Sequence, residues 1–182
     1  AATNIMMTKR GPIFMSDTAL NVDPTSNELA EIALMTAKTM KMFGIEPNIA
    51  MLSYSNYGSA KFESSQKVAQ AVAYLHKENP ELTVDGEIQV DFALNPAMLK
   101  NKFPFSKLVD KKVNGLVFPN LDSANISYKI IKELEGVESV GPIVMGLKKP
   151  AHIIQLGATV DEIVSVVCVA VVDAQEKQKK QG

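Results

Sequence analysis

The residues best suited to chemistry lie in one short run, Ser53-Tyr54-Ser55-Asn56-Tyr57-Gly58-Ser59, between an apolar segment and a helical one. The hydroxyls of Ser53, Ser55 and Ser59 can donate hydrogen bonds, and Gly58 permits close approach of the backbone to a ligand. A helix that begins just after the run offers unpaired N–H groups to an anion. The run is therefore a candidate site for a polar or anionic ligand. The alternative is an ordinary loop whose serines cap the helix.

A second polar segment covers residues 118–129. Asn120 or Asp122 can cap the helix that follows, which would account for one polar side chain locally. Asn125 and Lys129 are four residues apart and share one helix face. They are candidate ligand-binding residues, and the alternative is a solvated helix face.

A third segment, residues 141–152, contains Gly141, Gly146 and two prolines, which predict a loop of defined shape. His152 at its end is a candidate base. No aspartate, glutamate or cysteine is adjacent to His152 in the sequence, which favours a structural histidine.

Other reactive side chains give weaker signals. Asp85, Glu87 and Asp91 lie within seven residues and could share a strand face, but no histidine joins them, which disfavours a metal site there. Cys168 is the single cysteine and lies in an apolar run, so we expect a small buried side chain. A lone thiol also fits a reducing compartment, and we expect a cytoplasmic protein.

Hydrophobic periodicity predicts alternating strands and helices, which indicates a three-layer α/β fold with a mostly parallel sheet. The predicted helices cover 24–43, 61–78, 123–134 and 160–177, and the strands or extended segments cover 11–17, 48–53, 84–90, 114–119 and 139–145. Asp23 and Pro24 are predicted to begin the first helix as cap and first residue. In such sheets ligands bind beyond the carboxyl ends of the strands, where the polar segments fall.

The composition of the chain bears on whether it binds nucleic acid or a membrane. The 182 residues are 46% hydrophobic and 21% charged with a net charge of −1, which is normal for a globular domain. This balance gives no reason to expect nucleic acid or an anionic membrane as a partner. The apolar run at 163–172 is too short to span a bilayer.

Taken together and in this order, segments 53–59, 84–91, 118–129 and 141–147 resemble the phosphate acetyl/butyryltransferase family. The resemblance covers nearly the whole chain and corresponds to about the second half of that family's domain. Segments 15–32 and 150–160 look most like the phosphotransacetylase-like domain at the C-terminus of bacterial NADP-dependent malic enzymes.

The resemblance implies a two-lobed domain related to isocitrate and isopropylmalate dehydrogenases. Residues 1–150 would form a ligand-binding lobe, and residues 151–182 would return to a second lobe formed mainly by preceding sequence. The implied ligand is acetyl-CoA or coenzyme A, and NADP and a divalent metal would bind only in that preceding part. The implied ligand-binding residues are Ser53, Ser55, Asn56, Gly58, Ser59, Asn120, Asn125, Lys129, Gly141, Gly146 and Gln155.

The segment before the last helix bears on catalysis. Active transferases of the family carry Ser-Arg-Gly and then an aspartate, and these positions resemble Gln155, Leu156, Gly157 and Glu162 of this chain. Acetyl transfer to a thiol with a pKa near 8.5 needs a base, and phosphoryl oxygens suit the planar fork of arginine. Glu162 is the candidate base if the chain is active, but Leu156 supplies no cation and Arg10 is the only arginine.

The leading hypothesis is therefore a regulatory, non-catalytic, acetyl-CoA-binding domain of a malic enzyme that converts malate to pyruvate and CO2. Its partners would be the catalytic domain of the same polypeptide and further copies of itself in a homo-oligomer. One alternative is an active phosphate acetyltransferase. Another is an oligomerisation module. The sequence leaves the sign of regulation and the acyl group open.

Overall fold

The computed structural model describes residues 1–154 and 156–179, and in these ranges it contains six strands and six helices. The strands are β1 (Ala2–Thr8), β2 (Gly11–Ser16), β3 (Asn48–Leu52), β4 (Thr83–Ile88), β5 (Gly115–Val117) and β6 (Ser139–Val144). The helices are α1 (Ser26–Met42), α2 (Glu63–Glu78), α3 (Val90–Leu94), α4 (Pro96–Lys102), α5 (Leu121–Glu135) and α6 (Val160–Lys179).

The strands form one mixed sheet in the order β4-β3-β5-β2-β1-β6. β4, β3, β5 and β2 pair in parallel, whereas β1 is antiparallel to both β2 and β6. The predicted α/β class with a mostly parallel sheet is confirmed. The carboxyl ends of β2, β3, β4 and β5 meet at one border of the sheet, which we call the carboxyl edge.

Helices cover both faces of the sheet, so the fold has three layers. On one face α1 and α2 pack on the sheet through buried side chains that include Leu29, Ile32, Met40, Val68, Leu75, Ile49 and Met51. On the other face the core includes Leu99, Leu108, Ala124, Tyr128, Met6, Met15 and Leu116. Each fully buried large aliphatic side chain stabilises the fold by about 1.5–3 kcal/mol relative to an exposed one.

Helix α1 begins two residues later than the sequence predicts. Thr25 is its N-cap and forms a capping box with Glu28, in which each side chain accepts a hydrogen bond from the other residue's backbone. The prediction that Asp23 caps the helix and Pro24 is its first residue is therefore wrong, because Thr25 with glutamate three residues later satisfies more N–H groups. The predicted end at Gly44 is confirmed by its left-handed φ of 70°.

Three elements were not predicted. β1 is hydrogen-bonded on both sides and buried on both faces over Ala2–Met6, so its sequence shows no alternation. α3 and α4 are five and seven residues long, too short for a helical period to be visible.

Helix α6 packs through Val166, Val169 and Asp173 and leaves much of its apolar surface exposed. Val164, Val167 and Val171 are each about half exposed. Cys168 is also exposed, so the expectation of a buried thiol is wrong: the apolar run continues around the whole helix, whereas only one side of α6 contacts α1 and β6. That residues 151–182 return to a second lobe stays a prediction. None of the described helices is long and apolar enough to cross a membrane.

Candidate functional site

The loop formed by Ser53–Ser59 closes around the carboxylate of Glu87, a residue of β4 that is 2% exposed. The Ser55 hydroxyl donates to Glu87 Oε1 at 2.8 Å, and the Gly58 N–H donates to the same oxygen at 2.6 Å. Ser55 itself is fully buried. These two donors therefore meet an anion that is a side chain of the same protein, and ligand binding by the loop stays a prediction.

The remaining predicted residues of this loop are bonded to one another and to Gln89. Asn56 Nδ2 donates to Gln89 Oε1, and the Gln89 N–H donates to Asn56 Oδ1, both at 2.8 Å. Ser59 Oγ accepts from the Asn56 N–H at 2.9 Å, and Ser53 Oγ accepts from the Ser55 N–H at 3.2 Å. These bonds hold the loop to itself and to the residue after β4.

Tyr57 links the loop through Ser106 to Asp85 of β4. Its hydroxyl donates to Ser106 Oγ at 2.7 Å, and Ser106 Oγ donates to Asp85 Oδ2 at 2.8 Å. Burial raises the pKa of Tyr57, and the nearby carboxylates of Asp85 and Glu87 raise it further against the opposing bond to Ser106. The hydroxyl therefore stays a hydrogen-bond donor and does not act as a base.

The structure assigns Asp85 and Glu87 to loop positioning, a role that sequence reasoning missed. Both carboxylates accept hydrogen bonds from protein donors, and among the described residues no group of three or more His, Cys, Asp or Glu side chains could bind a metal ion. The signal in the sequence was the pair of acids two residues apart in a segment predicted to be extended, because alternate residues of a strand share one face and carboxylates buried there require donors nearby.

The second predicted segment divides into a structural part and an exposed part. Asn120 is the N-cap of α5 and accepts from the Ser123 N–H at 2.9 Å, so the cap is Asn120 and not Asp122. Asn125 Nδ2 donates to the carbonyl of Thr18 at 3.0 Å, which ties α5 to the turn after β2. Lys129 is exposed and free to meet an anion.

That turn after β2 is a second feature that sequence reasoning missed. The buried carboxylate of Asp17 accepts hydrogen bonds from the backbone N–H groups of Ala2, Ala19, Leu20 and Asn21. Thr18 Oγ1 donates to Asn4 Oδ1 at 2.7 Å, and Asn4 Nδ2 donates to Ser139 Oγ at 3.1 Å. This polar network links the starts of β1 and β6 to the carboxyl edge and holds Asn125 in place.

Gly141 and Gly146 of the third predicted segment lie in different parts of the structure. Gly141 has φ of 137°, and a Cβ there would lie 2.9 Å from the Thr3 carbonyl oxygen, so β6 needs glycine to approach β1. Gly141 also lines a small cavity of about 110 Å³ together with Asn4, Lys132, Leu156 and Glu162. Gly146 lies elsewhere, beside α1, and Gln155 lies outside the described residues.

Glu162, the candidate base, is already engaged at the entrance to α6. The Thr159 N–H donates to Glu162 Oε2 at 2.8 Å, and the Glu162 N–H donates to Thr159 Oγ1 at 3.2 Å, which forms a capping box. Lys132 Nζ donates to Glu162 Oε1 at 3.0 Å. The Thr159 N–H and then Lys132 lower the pKa of Glu162, which makes it a weaker base.

His152, which the sequence places without an acidic neighbour, lies near Asp173 in the folded chain. Its Nε2 is 3.6 Å from Asp173 Oδ2, too far for a hydrogen bond, and the same carboxylate oxygen accepts from Lys177 at 2.9 Å. Its side chain is 3% exposed, and neither ring nitrogen has a hydrogen-bond partner within the described part of the chain. Burial lowers the pKa of His152. The buried ring beside Asp173 of α6 agrees with the structural interpretation of this histidine.

The predicted residues do not form one compact pocket. The 53–59 loop follows β3, whereas Gly141 lies on β6, four strand positions away and about 19 Å at the usual strand spacing. β5 lies between β3 and β6 in the sheet order, and it is followed by Asn120, Asn125 and Lys129. The carboxyl edge thus suits an elongated ligand that contacts several loops, not a small one that all of them surround.

Comparisons with known proteins agree with this architecture. The family model described as phosphate acetyl/butaryl transferase matches residues 1–171. The chain is 44% identical over 176 residues to an NADP-dependent malic enzyme of Escherichia coli (strain K12), covering 96% of this chain and 23% of that protein. It is 42% identical over 159 residues to a phosphate acetyltransferase of Bacillus subtilis (strain 168), covering 87% of this chain and 49% of that protein.

Among solved structures, a phosphotransacetylase from Streptococcus pyogenes superposes with a TM-score of 0.88 at 37% identity. The match covers 98% of this chain and 54% of the other. The chain therefore spans about half the length of the Bacillus subtilis acetyltransferase and of the Streptococcus pyogenes phosphotransacetylase, and about a quarter of the Escherichia coli malic enzyme.

Proposed function

The chain belongs to the phosphate acetyl/butaryl transferase family, and from that membership we propose that it binds acetyl-CoA and regulates an NADP-dependent malic enzyme without transferring acetyl groups itself. Identity of 44% to the Escherichia coli malic enzyme supports this choice of parent protein. The parent would convert malate to pyruvate and CO2, and its nicotinamide and metal sites would lie in a different part of the polypeptide.

The observation that carries the non-catalytic part of the proposal is the state of Glu162. A base that deprotonates a thiol with a pKa near 8.5 works best with a pKa well above that of an ordinary carboxylate. The Thr159 N–H and Lys132 shift the pKa of Glu162 in the opposite direction, below that of an ordinary carboxylate. Both of its oxygens are occupied by donors of the protein, so this carboxylate caps a helix and pairs with a lysine.

The arginine expected of an acyl-phosphate site is also missing near Glu162, where the cation in contact, Lys132, is already paired with the Glu162 carboxylate. Leu156, at the position where active relatives would place arginine, is fully exposed and apolar. Arg10, the only arginine in the chain, lies in the β1–β2 turn at the opposite border of the sheet. There its guanidinium donates to the Leu94 carbonyl at 2.6 Å. No arginine fork is therefore available for a phosphoryl group in this chain.

Binding of acetyl-CoA, unlike acetyl transfer, requires neither a base nor an arginine. A long ligand such as acetyl-CoA can lie along the carboxyl edge, where preformed loops follow β2, β3, β4 and β5. Lys129 offers an exposed ammonium for phosphate oxygens beside the Asn125 amide. Rigid loops reduce the ordering cost of binding, which suits a sensor.

Isothermal titration calorimetry with acetyl-CoA tests the proposal on the 182-residue chain and on the longest natural protein that contains it. We expect saturable binding, weakened at least about threefold by Lys129→Gln through loss of a charge-assisted contact. Lys77→Gln on α2, also an exposed lysine, serves as the matched control and should leave binding unchanged. No heat of binding at millimolar acetyl-CoA in either protein would refute the proposal.

An active phosphate acetyltransferase is the second candidate, favoured by 42% identity to the Bacillus subtilis enzyme. In that reaction the thiolate of coenzyme A attacks the acetyl carbonyl carbon, the bond to the phosphate oxygen breaks, and the thiol proton passes to a base. Thioester formation from acetyl phosphate and coenzyme A, abolished by Glu162→Gln, would establish this activity. The absence of turnover in the protein that binds acetyl-CoA would exclude it.

An oligomerisation module is the third candidate, and the exposed valines of α6 favour it. Light scattering of Val167→Glu checks this possibility, since a charge in an apolar subunit contact should dissociate the assembly. If the unsubstituted protein is an oligomer and the Val167→Glu variant has the same mass, α6 does not form the contact between subunits.

A further inference from the structure

A cleft of about 410 Å³ lies between α1, the end of β6 and α6, on the face of the sheet that α1 and α2 cover. It shares no lining residue with the small cavity at Glu162. Gly146, one of the residues predicted to bind a ligand, lines this cleft and is not part of the loops that follow β2, β3, β4 and β5. The volume falls in the range of roughly 300–1,000 Å³ that small-molecule sites occupy.

Part of the cleft wall consists of flexible apolar side chains. Leu34, Met35 and Met42 of α1 are only half-buried there, and Met145 lies opposite them at the end of β6. Methionine is flexible and polarisable, so such a wall can shape itself to an aliphatic body. Gly146 allows the backbone after β6 to approach α1, because a Cβ there would lie 2.7 Å from Met35 Sδ.

The charges around the cleft favour an anion. Lys38 and Lys41 line it from one helix face, and neither has an ion-pair partner among the described residues. On the α6 wall, Asp173 accepts from Lys177 at 2.9 Å and Glu176 from Lys179 at 2.6 Å, so those acids are already neutralised. Glu81 is the remaining acid of the lining without an ion pair in the described chain, which leaves the unpaired lining groups with an excess positive charge.

From this combination we propose that the cleft is a second ligand site, which binds a small aliphatic carboxylate with its hydrocarbon body on the methionines and its carboxylate between Lys38 and Lys41. An apolar wall alone would take any hydrophobic molecule. The lysine pair selects the charged end, and the size of the cleft limits the length of the aliphatic chain. The site is independent of acetyl-CoA binding at the carboxyl edge, so either can exist without the other.

Methionine-methyl NMR with hexanoate as the probe tests this proposal on the 182-residue chain. Met35, Met42 and Met145 line the cleft, whereas Met98 on α4 and the buried Met6 lie outside it and serve as internal controls. We expect saturable shifts of the three cleft signals below about 20 mM hexanoate, with the two controls unmoved. Absence of shifts at the cleft methionines, or equal shifts at Met98, would overturn the site.

Variants of the exposed lysines test the class of ligand without endangering the fold. Lys38→Gln and Lys41→Gln should each weaken hexanoate binding by about threefold, as expected for one exposed charge pair. Lys149→Gln, an exposed lysine outside the lining, should have no effect. If 1-hexanol shifts the same signals with equal affinity and the lysine variants change nothing, the carboxylate specificity is wrong.

Discussion

The backbone N–H of Gly58 donates to the carboxylate of Glu87 at 2.6 Å, although the two residues are 29 positions apart in the sequence. Because the Ser55 hydroxyl donates to the same oxygen, one buried carboxylate closes the loop after β3 onto the end of β4. This part of the carboxyl edge is therefore held together by hydrogen bonds within the protein. Glu87 acts as a positioning residue for the surface that we propose acetyl-CoA contacts.

Replacement of Glu87 should loosen this loop. Glu87→Ala removes the acceptor of the Gly58 N–H and of the Ser55 hydroxyl, and we expect a loss of about 1–3 kcal/mol in the free energy of unfolding. Glu87→Gln keeps an acceptor oxygen and should cost less. Urea denaturation measures both, with the exposed Glu46→Ala as the control. A Glu87→Ala value equal to that of Glu46→Ala would contradict the positioning role.

Gly86 should tolerate no side chain. Its φ is 147°, and a Cβ would lie 2.5 Å from the Met51 carbonyl oxygen of the neighbouring strand. We expect Gly86→Ala to destabilise the chain by several kcal/mol, because backbone must move in addition to the conformational strain. Gly44→Ala is the matched control, since Gly44 has φ of 70° but open space around its Cα and should cost only about 1 kcal/mol. Thermal unfolding of both variants gives the comparison, and similar losses would show that strain alone matters.

Glu162 should contribute a pH-dependent stability. Its pKa lies below the usual 4.5, so its stabilising charge is fully present above about pH 4.5 and is lost as the pH falls through the folded-state pKa. Glu162→Gln should therefore lower the free energy of unfolding by about 0.3–1 kcal/mol at neutral pH, and less at about pH 3. Urea titrations at the two pH values measure the difference. Glu133→Gln on α5 is the control, and a difference that persists unchanged in acid would argue against this role for the charge.

His152 should destabilise the chain in acid. Burial lowers its pKa, and Asp173 only partly offsets that effect. The unfolded chain therefore binds a proton below about pH 6.5 before the folded chain does, and stability falls as the pH drops from there to the folded-state pKa. His152→Gln should remove this part of the pH dependence of Tm between pH 7.5 and 5.5. The imidazole proton signals in an NMR titration check the assignment, and a pKa for His152 above that of a free histidine would refute it.

Cys168 should react readily. Because it lies on the exposed side of α6, Ellman's reagent should modify it in the native 182-residue chain nearly as fast as in urea. In a longer natural protein that contains this chain, the predicted return of α6 to a second lobe would slow the reaction. Equal rates in the longer protein would contradict that domain assignment, and slow reaction in the isolated chain would contradict the exposure of the thiol.

Local patterns in the sequence determined the class of fold and most of its elements. The long amphipathic helices α1, α2 and α5 and the buried strands β3 and β5 were predicted to within a few residues, because their periodicity and end signals are local. The order of the polar segments was specific enough to indicate the family, which the match over residues 1–171 confirms.

Tertiary structure alone decided what the polar residues do. Glu87 stands 32 residues after Ser55, and Glu162 stands 30 residues after Lys132, so neither pairing has a local signal. The exposure of Cys168 likewise depends on which side of α6 meets β6 and α1. Hydrogen bonds and burial follow from distance in space, whereas sequence patterns report only neighbours along the chain. The sequence therefore predicted a cradle for an anion after β3, and only the packing of β4 beside β3 placed the carboxylate of Glu87 inside it.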